Sequence, residues 1–180
     1  MAKLDSFRAN LVGGGARPSQ FRVSINFPTW VTVPTDGAAT EFLVKAASLP
    51  ASIIMPIDVP FRGRVAKIAG ERQFANWNVT ILNDNDFAIR NALEQWSNGI
   101  LNHSQTNGRA KPKDYSADLY VFQLDRNDKE IKTYKFTNCF PQQIGEIGLD
   151  FGNVSQIEEY PVEFSIDYWE VVDANTAITE

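Results

Sequence analysis

The chain has 180 residues, 43% hydrophobic and 22% charged, which suits one domain with arms and a buried core and excludes global disorder. Its formal net charge of -5 makes it a poor candidate for sequence-independent grip on nucleic acid, which needs Lys and Arg to displace counterions. The same charge leaves open a conduit along which DNA slides, because such a surface should repel phosphate rather than hold it.

Residues 1–16 read as an arm. Gly13-Gly14-Gly15 followed by Arg17-Pro18 has no periodic apolar pattern. Phe21 to Phe27 alternates Phe, Val, Ile and Phe against Arg, Ser and Asn, the pattern of a half-buried strand. Pro28, Pro34 and Asp36-Gly37 punctuate the next stretch, with room for a short strand at Val31 to Val33. Phe42 to Ala47 reads as a strand stopped by Leu49-Pro50. Ile53 to Ala69 is β-branched but holds Pro56 and Pro60, so it should be two pieces around a kink at Phe61-Arg62-Gly63-Arg64. Ala69-Gly70-Glu71-Arg72 reads as a turn, and Ala75 to Leu82 as a strand with Trp77, Val79 and Ile81 on one face.

One helix is expected. Asp84 to Asp86 offer capping oxygens and negative charge at its start, and Ile89, Leu93, Trp96 and Ile100 form a single apolar stripe ending near Gly99. Asn102 to Tyr115 is polar and reads as an exposed loop. Two strands, Asp118 to Leu124 and Glu130 to Thr137, flank a hairpin loop at Asp125 to Lys129. A further strand is expected over Ile144 to Phe151. The last, Glu159 to Val172, should place Val162, Phe164, Ile166 and Tyr168 on one face. Residues 173–180 read as a loose tail. The sum is a mainly β domain over residues 17–172, a sandwich or barrel with one flanking helix.

Residues capable of chemistry are sparse. One cysteine, Cys139, excludes an intrachain disulfide, and together with the single His103 it leaves little for a Cys/His metal site. No cofactor or metal is expected. His103 sits in a polar loop with no base or nucleophile nearby, and Cys139 reads as a small buried hydrophobe. Asp84-Asn85-Asp86 lacks the glycine and closing Glu of a calcium loop. Arg62 and Arg64 form a basic cluster that is either a solvated turn or an inter-subunit ion-pair site, and Glu71 with Arg72 reads the same way. Glu163 and Asp167 share the polar face of the last strand with Ser165, as a solvated or channel-facing acidic surface. An enzyme is therefore not expected. Nor is a signal peptide or a membrane span, so the expected site of folding is a reducing cytoplasm, with no stable membrane association.

A run of short motifs is more specific in its order than any is alone: Leu49-Pro50-Ala51, Val59-Pro60-Phe61, Ala69-Gly70-Glu71-Arg72-Gln73-Phe74, Asn76-Trp77-Asn78-Val79-Thr80 and Leu82-Asn83-Asp84. Phe140-Pro141, Ile144-Gly145-Glu146, Leu149-Asp150-Phe151, Phe164 and Asp167-Tyr168-Trp169-Glu170 follow, and Ala16-Arg17-Pro18 with Phe21 precedes. In this order and spacing, from about Arg17 to Glu170, the chain resembles the tail tube proteins of contractile-tailed bacteriophages.

The resemblance implies a β-sandwich or split barrel with one flanking helix, similar to type VI secretion tube proteins. It also implies a structural virion protein. Six copies would close into a ring, rings would stack into the inner tube of the tail, and DNA would pass through non-specifically during ejection. Implied partners are further copies of the chain, a sheath protein, a baseplate or tube initiator and a tail terminator, assembled in the host cytoplasm. Ring closure would remove exposed sheet edges. The candidates for stacking are the glycine-rich N-terminus and Ala51 to Glu71, with Arg62, Arg64, Glu71 and Arg72. The rival readings are a tube subunit of a type VI or extracellular injection system, a baseplate tube initiator, and a carbohydrate-binding module using an exposed Trp30 or Trp169.

Overall fold

A computed structural model describes residues 4–10, 15–33, 43–105 and 107–172. Asp36-Gly37, the start of the expected strand at Phe42 and the tail 173–180 lie outside the described residues. The elements run α1 (Leu4–Asn10), β1 (Phe21–Ile25), β2 (Val44–Ala47), β3 (Ser52–Phe61), β4 (Arg64–Phe74), β5 (Trp77–Leu82), α2 (Ala88–Ile100), α3 (Pro112–Tyr115), β6 (Ala117–Leu124), β7 (Glu130–Ile144), β8 (Glu159–Ser165) and β9 (Tyr168–Val171). The main sheet has seven strands in the order β1-β6-β7-β8-β5-β2, with β9 also on β7, and β3-β4 forms a separate two-stranded sheet. The fold is mostly β, as expected.

The fifteen residues of β7 join two halves of the main sheet. Tyr134 to Thr137 of β7 pair with β9, and its first part also pairs with β6, whereas Phe140 to Ile144 pair with β8. The change of direction falls at Asn138, whose φ of 55° is left-handed, a conformation Asn tolerates better than most residues. Polar contacts hold the corner. The Asn138 backbone N–H donates to Asp118 Oδ1 at 3.2 Å, and its side-chain amide donates to Asp167 Oδ2 at 2.7 Å. Lys135 Nζ lies 3.1 Å from Asp118, and this hydrogen bond raises the lysine pKa above its ordinary value.

The core is built around Trp77, which is 0% exposed. Its ring lies 4.8 Å from Phe136 and 5.5 Å from Phe164, which is 6.1 Å from Trp96 on α2. The helix stripe holds as expected: Ile89, Leu93 and Trp96 are buried and Ile100 packs beside them. At its start Asp84 Oδ1 accepts the Ala88 N–H at 3.0 Å, while the residue at the cap position is Phe87, with φ 53°. The stretch expected to be a plain exposed loop contains α3. The carbonyls of Tyr115 and Asp114 there accept the indole N–H groups of Trp96 at 2.6 Å and Trp30 at 2.8 Å. The segment thus supplies an acceptor to the buried Trp96 and to the half-buried Trp30.

Several expectations are corrected. Val31 to Val33 forms no strand, although Val31 is buried. Part of the segment read as an arm is helical, α1. Ala69 to Arg72 is not a turn but lies inside β4, where the register shifts opposite Ile54 and Pro56. An added Cβ at Gly70 would stand 2.5 Å from the Met55 carbonyl oxygen, so this bulge requires glycine. Ile144 to Phe151 is not a strand. The ladder ends where the Gly145 N–H donates to the Pro161 carbonyl at 2.7 Å, and the chain then leaves the sheet without a partner strand. The last strand is broken at Ile166-Asp167, where it follows β7 from one half of the sheet to the other. The alternation slips there by one residue, so Tyr168 faces out and Trp169 packs against Phe74 and Tyr134. Asp167 accordingly sits in the break rather than on a strand face with Glu163.

Two outcomes are expected from this core. Trp77→Ala should destabilise the chain by about 3–5 kcal/mol, because no neighbour can fill the void between Phe136 and Phe164; urea unfolding measures it. Stability should also fall in alkali. Burial pushes the Cys139 thiol from its ordinary 9.0 up to about 12, and burial also raises Tyr160. Both groups stay protonated when folded but ionise when unfolded. Their contribution is present below the unfolded pKa values and is lost as pH rises toward the folded ones. The urea midpoint should decline above about pH 9, and less steeply in Cys139→Ala.

Candidate functional site

Among the described residues, His103 and Cys139 stand apart from any catalytic arrangement. His103 is exposed in its loop. Cys139 is wholly buried and held protonated. Among the described residues no group of three His, Cys, Asp or Glu could hold a metal ion, and no helix is long and apolar enough to cross a membrane. Trp30 and Trp169 are half-buried rather than open platforms. Trp30 carries Arg109 over its ring at 4.0 Å, and Trp169 makes its contacts with Phe74 and Tyr134. The geometry therefore gives a carbohydrate-binding reading no support.

The distinctive feature is the β3-β4 hairpin. Its turn is Arg62-Gly63, with φ of 46° and 80°, between the paired Phe61 and Arg64. Two positive φ values in a two-residue loop are the geometry that matches the natural twist of a hairpin, and glycine at the second position makes it accessible. Every β3 residue is exposed, as is all of β4 except Gly70 and Phe74. Yet the residues are those of a core. Ile57 faces Ile68 and Val59 faces Ala66 across the ladder, with Phe61 beside them toward the tip. Ten residues of strand extend roughly 30 Å. A two-stranded sheet with an uncovered apolar face is marginal alone, and exposed apolar area of this extent marks an interaction surface.

Arg62 and Arg64 meet at the hairpin tip, where the Arg62 guanidinium lies 5.3 Å from the Phe61 ring centroid. Glu71 and Arg72 lie on β4 near the base, Arg72 opposite Ile54, so the two pairs sit at different ends of the arm. Glu163 is on β8, accepting from the Asn76 amide at 2.7 Å. It faces away from the core that Val162 and Phe164 enter. Around it on the same sheet are Asn78, Thr80 and Gln142, all uncharged and polar. Asp167 is at the Asn138 corner described above.

A second exposed apolar segment was missed by sequence reasoning. Between β7 and β8, Leu149 is 85% and Phe151 106% exposed, with Val154 and Ile157 also open. Leu149 and Phe151 fall in the stretch read as a strand, and only the absence of a partner strand reveals them as surface.

A model of a family described as phage tail tube protein matches residues 16–172. The chain belongs to the phage tail tube protein family. It is 31% identical over 167 residues to the tail tube protein gp19 of Enterobacteria phage T4, covering 92% of this chain and 98% of that one. A tail tube protein of Serratia phage KSP90 is 28% identical over 162 residues, covering 89% and 92%. The family is structural rather than enzymatic. In fold, the chain resembles one in the anti-feeding prophage baseplate, with TM-score 0.65, 14% identity and coverage of 89% and 97%. It also resembles a chain of the sheath-tube complex of an extracellular contractile injection system, with TM-score 0.58, 14% identity and coverage of 91% and 95%. Hcp1 of E. coli EAEC 042 aligns with TM-score 0.50 at 10% identity, over 87% and 92% of the two chains. As a tail tube protein it is a virion component.

Because Ile57 and Ile68 are exposed, Ile57→Ser with Ile68→Ser should change unfolding free energy by less than about 1 kcal/mol, the worth of a cross-strand pair. Urea unfolding checks this. A loss as large as that of Trp77→Ala would mean that the hairpin belongs to the core.

Proposed function

We propose that six copies of this chain close into a ring and that rings stack through the β3-β4 hairpin into the inner tube of a contractile phage tail, which conducts DNA during ejection. The observation that carries the reading is the hairpin itself, an apolar arm left exposed among the described residues. Its energetics are sound only when another subunit buries it. Ring closure gives the second contact, since β1 and β2 end the main sheet and present edges for pairing. The arginines at the tip and the Glu71-Arg72 pair at the base then become inter-subunit contacts. The outer face of β5 and β8, with Asn76, Asn78, Thr80, Gln142 and Glu163, is polar and weakly acidic. Turned to the lumen, it lets phosphates pass without binding them. Asp167 is a second candidate for that surface.

The partners follow from the related assemblies. A baseplate, a tube terminating cap and a sheath-tube complex are the settings of the resembling chains. For this chain they correspond to a tube initiator, a terminator and a sheath protein, with assembly in the host cytoplasm. An injection-system tube is the second reading, favoured by those same fold likenesses. The 31% identity to a phage tail tube protein, against 14% to the injection-system chains, supports the phage.

Negative-stain electron microscopy of the concentrated protein, with size-exclusion chromatography, tests this. Six-fold rings or hollow tubes of even diameter are expected from the natural chain, and unstacked particles from Ile57→Ser with Ile68→Ser. If neither rings nor tubes form when sheath and baseplate partners are supplied, the tube reading fails.

A further inference from the structure

We infer that the surface receiving the hairpin is the exposed 145–158 loop of a second copy of this chain, an inference that rests on the ring-stacking reading and names its acceptor. Three observations converge on it. The first is apolar content. The hairpin presents Ile57, Val59, Phe61 and Ile68 uncovered, and the loop presents Leu149, Phe151, Val154 and Ile157 uncovered. One chain thus carries two separate patches of the kind that water disfavours, and each is an arm or a loop standing clear of the core.

The second is charge. From Ser52 to Phe74 there are four basic residues, Arg62, Arg64, Lys67 and Arg72, against two acidic ones, Asp58 and Glu71. From Gly145 to Glu158 there are three acidic residues, Glu146, Asp150 and Glu158, and none basic. Asp150 lies between Leu149 and Phe151, and Arg62 in the hairpin turn and Arg64 just after it lie beside Phe61. Apolar centres with opposite charge at their margins specify one partner over a like-charged one.

The third is position. β5 and β8 pair along their length, Trp77 opposite Phe164 and Leu82 opposite Glu159. The hairpin returns to the sheet at the Trp77 end, through Ala75, whose N–H donates to the Ala51 carbonyl. The loop enters at the Glu159 end. The two patches therefore project from opposite ends of one ladder about 17 Å long. Different, complementary patches at opposite ends give a head-to-tail contact, which stacks along an axis where its rotation does not close a ring. A two-fold pairing of hairpin with hairpin would bring the tip arginines together and leave the acidic loop uncovered.

Crosslinking of the full chain tests the contact. Cys139 is wholly buried, so introduced surface thiols react first. Ile57→Cys and Val154→Cys are prepared separately, mixed at assembly concentration and oxidised mildly. The mixed disulfide dimer is expected several-fold above either homodimer, and a chain carrying both substitutions should give a ladder of covalent oligomers. Val59→Cys with Phe151→Cys is the second pair, should either first variant fold poorly. The same samples are imaged in negative stain. Stacked rings without the mixed disulfide in either pair would overturn this contact and leave the stacking reading standing. The mixed disulfide without six-fold rings would sustain the contact and overturn the hexamer. Predominance of hairpin-to-hairpin disulfides, or monomers without crosslinks, would overturn the contact.

Discussion

The whole arrangement depends on a single bend. β7 must serve two halves of the sheet, and it can do so only by changing direction where its neighbours change too. Asn138 takes the left-handed conformation, β6 slips its register opposite it, and the β8-β9 ribbon breaks at Ile166-Asp167 to follow. Asp118, Asp167 and Lys135 satisfy the backbone and side-chain groups that the bend exposes. Around this corner the two halves close over Trp77, Phe136 and Phe164, and α2 lays Trp96 on the same cluster. A straight β7 would leave that aromatic centre open on one side.

With the core complete, what is left over becomes informative. The body buries its aromatics densely and gives the indole N–H groups of Trp96 and Trp30 backbone acceptors. The hairpin and the 145–158 loop do the opposite, holding Ile, Val, Leu and Phe in solvent. A fold that economical in its centre does not leave two apolar surfaces uncovered by accident of packing. The two attach at opposite ends of the β5-β8 ladder.

The lack of chemistry is consistent with this design. The sole thiol is sealed and protonated and the sole imidazole stands in a polar loop. The polar face of β5 and β8 carries amides and hydroxyls with two carboxylates, Glu163 and the Glu159 that pairs with Lys45, a surface able to be wetted without attracting polyanions. A structural subunit is defined by which surfaces it buries and which it keeps inert, and this chain separates the two.

The sequence by itself determined the elements whose signal is local. The alternation of Val23 and Ile25, and of Trp77, Val79 and Ile81, the stripe of Ile89, Leu93 and Trp96, and the turn residues at Asp125 to Lys129 all specify their structure through neighbours a few positions away. The ordered motifs from Leu49 to Asp84 carried the family. Only the tertiary structure decided what depends on distant partners. Gly70 and Glu71 look like a turn until Met55 is placed opposite them and makes them a bulge. Ile144 to Phe151 alternates like a strand, but its pairing with β8 stops at Ile144 opposite Val162. Tyr168 and Trp169 exchange faces because a bend at Asn138, far away in the chain, shifts their register. The exposure of the hairpin was illegible for the same reason. Composition says that Ile57 and Ile68 are apolar, but whether an apolar residue is core or interface depends on what the rest of the chain brings to cover it.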